Sequence, residues 1–185
     1  GPNMPFMTLA LVLANVLAYR LELASGGQAA CEAFGLIPAR FAHGGALSPL
    51  LTSIFLHDPS SLFHLCGNMV FLALFGTLVE KALGGIRFLA LYLLCGVAGA
   101  LLHICVDPTS IDPLVGASGA IFGLIAVSAV LYPRLLGFAF CFAALNIWHA
   151  VFGGGGAVSF GCHLGGFAFG VLIVLPIGGA DMPVV

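Results

Sequence analysis

At 185 residues the chain has room for one compact domain. With 61% apolar residues, 6% charged residues and a mean hydropathy of +1.19, it lacks the polar surface of a soluble domain, which carries about 25% charged residues. An integral membrane protein is predicted, with the lipid bilayer as its surroundings, and a net charge of -2 with five basic residues argues against nucleic acid as a partner.

Gly1-Pro2 ahead of Asn3 reads as the remnant of a protease cleavage, leaving 3–185 as a single transmembrane domain. A helix needs roughly 20 residues to cross a hydrocarbon core, so the gaps between the few charges mark the spans. They run from Asn3 to Tyr19, Pro59 to Val79, Phe88 to Val106 and Pro113 to Pro133. The last gap, Leu135 to Ala180, holds two spans with a break expected at Gly153-Gly154-Gly155-Gly156. An all-α bundle of six transmembrane helices follows.

The uncharged stretch from Phe41 to His57 is too polar and interrupted to face lipid. Within this long first loop, Pro49 to Phe55 is predicted as a short amphipathic helix in the interface, because Leu47, Leu50, Leu51, Ile54, Phe55 and Leu56 need burial. Of the cysteines, Cys31 falls in this loop, while Cys66, Cys95, Cys105, Cys141 and Cys162 fall in apolar segments as small packing residues, with no metal-binding spacing.

Lys81 and Arg87 flank the turn between the second and third spans, and Arg134 the turn between the fourth and fifth. The opposite loops hold Glu22, Glu32, Asp58, Asp107 and Asp112 against Arg20 and Arg40. By the positive-inside rule both termini are cytoplasmic, and the second, fourth and sixth spans run from outside to inside.

Depths can then be compared. Ser118 follows Pro113 by five residues, His163 follows Ala157 by six, His64 follows Asp58 by six, and Asn68 lies one turn deeper than His64. At 1.5 Å per residue the four groups sit roughly 8 to 15 Å below the outer ends of their helices. Four polar side chains on three parallel helices therefore share one level.

Each has a plainer reading. A lone serine in an apolar helix commonly bonds a carbonyl one turn back, or simply allows close packing. The small-residue pairs Gly119 with Gly123 and Gly166 with Gly170 fit that packing, and the same contact would bring Ser118 to His163. An ionisable group inside a bilayer, by contrast, is costly and points to function. Neutral His163 would be a base for Ser118, with Phe122 one turn on as a stacking surface. No acidic residue lies at this depth, so a dyad rather than a triad is expected. His64 and Asn68, four apart, share a helix face. They could bond neighbouring helices, or could donate to an oxyanion together with the Ser118 backbone N-H.

His103, Asn146 and His149 read as structural or water-facing, His43 and His57 as partners of loop backbone, and Trp148, Phe142 and Phe152 as an interfacial aromatic set. The fifth span could form a movable side wall. There is no His-Glu-x-x-His for a metalloprotease. Asp58, Asp107, Asp112 and Asp181 lie outside the spans, against an aspartyl protease, and the apolar midplane argues against a transporter.

His64-x-x-x-Asn68, Gly116-Ala117-Ser118-Gly119 and His163-x-x-Gly166-x-x-x-Gly170, in this order behind a long first loop, resemble the rhomboid intramembrane serine proteases in their six-helix bacterial form. The resemblance implies Ser118 as nucleophile, His163 as general base and acid, and His64, Asn68 and the Ser118 N-H as oxyanion donors. Gly116, Gly119, Phe122, Gly166 and Gly170 support them, with no metal or cofactor. It also implies single-span membrane proteins as substrates, cut near the outer end of their helix after a small residue. Expected, then, is an intramembrane serine endopeptidase of a bacterial inner membrane, its site open to the extracytoplasmic side. The rival reading is a silent rhomboid-like protein that binds membrane helices. The sequence departs from some members in lacking a Trp-Arg pair at Ala39-Arg40, and in carrying Phe122 in place of a tyrosine.

Overall fold

The computed structural model describes residues 4–152 and 160–178, less the side chains at 146, 149–152 and 176–178. Gly1-Pro2, the run of glycines at 153–156, Ala157 and Asp181 lie outside the described residues, as do the side chains of Asn146, His149 and Phe152. The described chain is helical: α1 (Phe6–Ala24), α2 (Gln28–Phe34), α3 (Pro38–Ala42), α4 (Pro49–Thr52), α5 (Leu62–Leu83), α6 (Gly85–Val106), α7 (Ser118–Leu131), α8 (Leu136–Phe152) and α9 (Phe160–Gly178). Three of these, α1, α5 and α6, are long and apolar enough to cross a membrane, while α7, α8 and α9 carry shorter apolar runs.

The apolar composition of α7 on all sides explains its place at the centre, because a helix without a polar face must be enclosed. Every residue from Gly119 to Ala129 is buried. α9 packs most extensively on α7 and then on α6. Glycine sets the distance: a Cβ at Gly166 would overlap the Gly119 carbonyl, and one at Gly170 would come within 2.6 Å of the Gly123 carbonyl. Since Gly119 meets Gly166 and Gly123 meets Gly170, α7 and α9 run in the same direction.

The fourth span does not begin at Pro113. Residues 113–116 are not helical, with Leu114 exchanging both backbone hydrogen bonds with Leu36 (3.1 and 2.8 Å) and Gly116 N-H donating to the Ser53 carbonyl (2.9 Å). Pro113 lacks an N-H, and Gly116 takes a φ of +125°, which only glycine adopts without strain. Helix therefore starts at Ser118. His64 is likewise the third residue of α5. For Ser118 and His64 the level is thus the first turn of the helix, shallower in helix terms than the spacing from the charges implied.

Charges also proved an imperfect guide to helix ends. Glu22 and Glu80 are buried helix residues, not loop markers. Glu80 accepts from the Met7 N-H (2.9 Å), the Thr8 N-H (2.7 Å) and the Thr8 hydroxyl (2.7 Å), so it caps the first turn of α1, whose N-H groups have no partner within the helix. α5 passes through a π-turn at Leu72–Gly76 on the way, where Gly76 lets Thr8 approach closely. Arg20, though exposed, also lies within α1, and the first span runs to Ala24 rather than Tyr19.

The first loop is more structured than expected. Cys31 sits buried in α2, and the helix predicted over Pro49 to Phe55 is only one turn, Pro49–Thr52. After it the chain dips inward: Ile54 and Leu56 are buried, with Ile54 against Gly96 of α6, whereas Leu47 and Leu51 remain exposed.

Candidate active site

The start of α7 and the first described turn of α9 bring together the two groups on which acid–base chemistry could turn. His163 Nε2 lies 2.9 Å from Ser118 Oγ. Phe122 is one turn along α7 from Ser118 and so projects on the same face. Its ring stacks on the imidazole of His163 with centroids 4.2 Å apart and planes 6° from parallel. One helix therefore supplies both the hydroxyl and the surface that orients the ring. The backbone N-H of Ser118 is among the opening N-H groups of α7, which have no acceptor within the helix and favour negative charge.

His64 approaches from α5. A Cβ at Gly116 would stand 3.1 Å from its Nε2 and 3.7 Å from Ser118 Oγ, so the absence of a side chain at Gly116 leaves open the space beside both groups. The other ring nitrogen, Nδ1, accepts the Asp58 N-H at 3.0 Å. An accepting Nδ1 carries no proton, which leaves Nε2 protonated and a donor in the neutral ring. Asn68, one turn below, gives one amide proton to the His64 carbonyl at 2.9 Å. Its Nδ2 has a second.

Ser118, His163, His64 and Asn68 line one cleft of about 300 Å³. Phe63, Gly67, Phe71, Ile121, Phe122 and Phe142 complete its wall. The expected interfacial set is thereby divided: Phe142 faces the cleft and contacts Phe122 and Phe71 at 5.1 and 5.0 Å, while Trp148 is exposed. The signal for Phe142 was in the sequence, since Phe138 and Phe142 on α8 share the four-residue spacing of Phe71 and Phe75 on α5, and the four rings stack. A larger groove of about 630 Å³ near the start of α1, lined by Met4, Phe6, Glu80 and Lys81 among others, includes neither Ser118 nor His163. Among the described residues no three His, Cys, Asp or Glu side chains stand together as metal ligands would.

The remaining histidines lie elsewhere. His43 Nδ1 is 2.8 Å from the Ala39 carbonyl, and His57 Nδ1 3.3 Å from that of Phe55. His57 is fully buried, its ring 5.3 Å from that of His64. Burial, with the neighbouring His64 adding to it, pushes its imidazole down to about 4. His103 is buried within α6 rather than water-facing.

The same region is matched by a family model for the Rhomboid domain, over residues 44–179. Among curated proteins the chain is similar to "Rhomboid protease GluP" of Bacillus subtilis, 35% identical over 134 residues that cover 71% of this chain and 25% of that protein. It is similar to "Rhomboid protein 1, mitochondrial" of Saccharomyces cerevisiae, 32% identical over 142 residues, 66% of this chain and 40% of that one. A third relative is "Rhomboid-like protease 3" of Toxoplasma gondii, 34% identical over 136 residues, 68% and 49% of the respective chains. The chain thus spans between a quarter and a half of the length of these relatives. With apolar helices long enough to cross a bilayer, and a family match that takes in every side chain of the cleft, the chain belongs to the rhomboid family of integral membrane proteins.

Proposed function

We propose that the protein is an intramembrane serine endopeptidase in which Ser118 and His163 act as a dyad. The observation that carries this reading is the 2.9 Å approach of His163 Nε2 to Ser118 Oγ, with the ring held flat on Phe122. Ser118 Oγ attacks the scissile carbonyl carbon while its proton passes to His163 Nε2. The carbonyl oxygen becomes an oxyanion facing His64 Nε2-H, Asn68 Nδ2-H and the Ser118 N-H. Collapse breaks the C–N bond, His163 returns the proton to the leaving amine, and an acyl-serine remains. Water then gives a proton to His163 Nε2 and attacks the ester. The second collapse releases the acid and restores the Ser118 hydroxyl, with no metal or cofactor.

The substrates in this reading are single-span membrane proteins, cleaved near the outer end of their helix after a small residue. An apolar cleft walled by Phe63, Phe71 and Phe142 suits a segment arriving from lipid, and "protease" in the names of two relatives supports the activity. The distribution of Lys81, Arg87 and Arg134 supports cytoplasmic termini and a cleft open to the extracytoplasmic side, and in this reading the membrane is a bacterial inner membrane.

The test is cleavage of a single-span substrate by the protein reconstituted in lipid vesicles. Wild type is expected to cut it, and Ser118→Ala and His163→Ala, folded as judged by thermal unfolding, are expected to leave it intact. Cleavage by either variant would refute the dyad. No cleavage by folded wild type would favour a protein that only binds membrane helices.

A further inference from the structure

His64 owes its donor nitrogen to a contact made outside the helices of the cleft. Its Nδ1 accepts from the Asp58 N-H, and that N-H belongs to the peptide group joining His57 to Asp58. The carbonyl end of the same peptide group lies 3.6 Å from the Cys31 thiol. The Cys31 thiol in turn donates to Glu22 Oε1 at 3.1 Å, and the other carboxylate oxygen, Oε2, accepts the His57 N-H at 3.0 Å. Glu22 on α1 thereby holds the N-H side of residue 57, while Cys31 on α2, its one thiol proton given to Glu22, lies against the carbonyl side. Glu22, Cys31 and His57 are all buried, so water does not compete for these contacts. The Asp58 side chain takes no part in them: it turns to the Ser60 N-H and hydroxyl, at 2.8 and 2.6 Å.

An imidazole chooses its tautomer by the hydrogen bond that one nitrogen makes, and the partner of the far nitrogen fixes what the near one can do. The geometry points to Glu22 as a positioning residue that, by fixing the His57 N-H and with it the 57–58 peptide, holds His64 as the Nε2-H tautomer aimed past Gly116 at Ser118. Without Glu22 the buried His57 N-H loses its acceptor, and the Cys31 thiol proton turns from the carboxylate to the His57 carbonyl. The 57–58 peptide is then free to rotate, and Nδ1 of His64 can take the proton instead. Nothing in the spacing of Glu22, Cys31 and His57 signals this link, which spans 35 residues and three separate segments.

This inference rests on the oxyanion role proposed above for His64, and a double-substitution cycle separates the two. Glu22→Ala is expected to lower kcat about 10- to 100-fold, the range for groups that orient a functional imidazole, with KM changed less than about twofold. In a His64→Ala background the same substitution is expected to cost nothing further, because the donor it positions is gone. A merely structural Glu22 would lower activity in both backgrounds by the same factor, and that result would overturn the proposal. Ring-nitrogen NMR of selectively labelled His64 gives a readout independent of turnover: wild type is expected to show protonated Nε2 only, and Glu22→Ala a mixture of tautomers. An unchanged ring signal in the variant would likewise overturn it. Should Glu22→Ala not fold, Glu22→Gln and Cys31→Ala carry the same cycle, with smaller losses expected and the same loss in both backgrounds as the contrary result. A His64→Ala protein as active as wild type would instead defeat the oxyanion role, with the ring signals still reporting on Glu22.

Discussion

Asn68 gives one amide proton to the His64 carbonyl and keeps the second for the cleft, so its proposed role is to donate to charge that develops only in the transition state. Asn68→Ala is expected to lower kcat by about 100-fold or more with little change in KM, in steady-state cleavage of a single-span substrate. A change in KM alone would assign Asn68 to binding instead. Phe122 tests the platform under His163: Phe122→Tyr keeps the stacked ring and is expected to stay within severalfold of wild type, whereas Phe122→Ala is expected to lose most activity. His57 offers a test of stability. Its imidazole, pushed down to about 4, stays neutral in the fold while an unfolded histidine takes up a proton near pH 6.5. The unfolded state therefore binds more protons between those values, and stability is expected to fall as pH drops from about 6.5 to about 4, with His57 contributing at most roughly 3 kcal/mol of the fall. Thermal unfolding in detergent across that window should show this slope, and His57→Gln should make it shallower. At this scale Ser118, His163, His64 and Asn68 could be picked out because polar groups are rare in so apolar a sequence. Glu22 and Cys31 could not, because their connection exists only once α1, α2 and residue 57 have packed.

Among the elements, α7 and α9 set the spacing of the cleft. A methyl at Gly166 would meet the Gly119 carbonyl, and the helices must separate to admit it. Since Ser118 and His163 lie on either side of that contact, Gly166→Ala is expected to cost about 1 to 3 kcal/mol of stability and to reduce cleavage disproportionately, both measurable in one detergent preparation. Wild-type activity and melting temperature would show that the contact yields without moving the site. The two pairs of glycines announced this packing through their four-residue spacing. The start of α7 was harder to read. Pro113, Leu114 and Val115 suit a helix start by composition, and what keeps them out of the helix is pairing with Leu36 and Ser53, about eighty and sixty residues away. The same is true of α4, shortened to one turn because Ile54 and Leu56 leave the helix path to enter the core.

For the molecule as a whole, the scarcity of charge that located the spans also predicts how they sit. Lys81, Arg87 and Arg134 gather at one end, and the cleft lies at the other. A cysteine placed at Thr109 is expected to react with an impermeant maleimide on intact cells, and one at Ala82 only after lysis, each above the labelling of the parent protein. The reverse pattern would invert the orientation and put the cleft on the cytoplasmic face. Charge misled at the buried Glu22 and Glu80, because a carboxylate inside the fold serves backbone N-H groups rather than solvent, and at Arg20, an exposed charge inside α1. The central claim, a serine made nucleophilic by one histidine, is tested most directly by covalent labelling with a fluorophosphonate and mapping of the adduct by mass spectrometry. A single phosphonyl group on Ser118, abolished in Ser118→Ala and strongly reduced in folded His163→Ala, is the predicted result. No adduct on Ser118 in folded wild type, or labelling of His163→Ala at the wild-type rate, would contradict it.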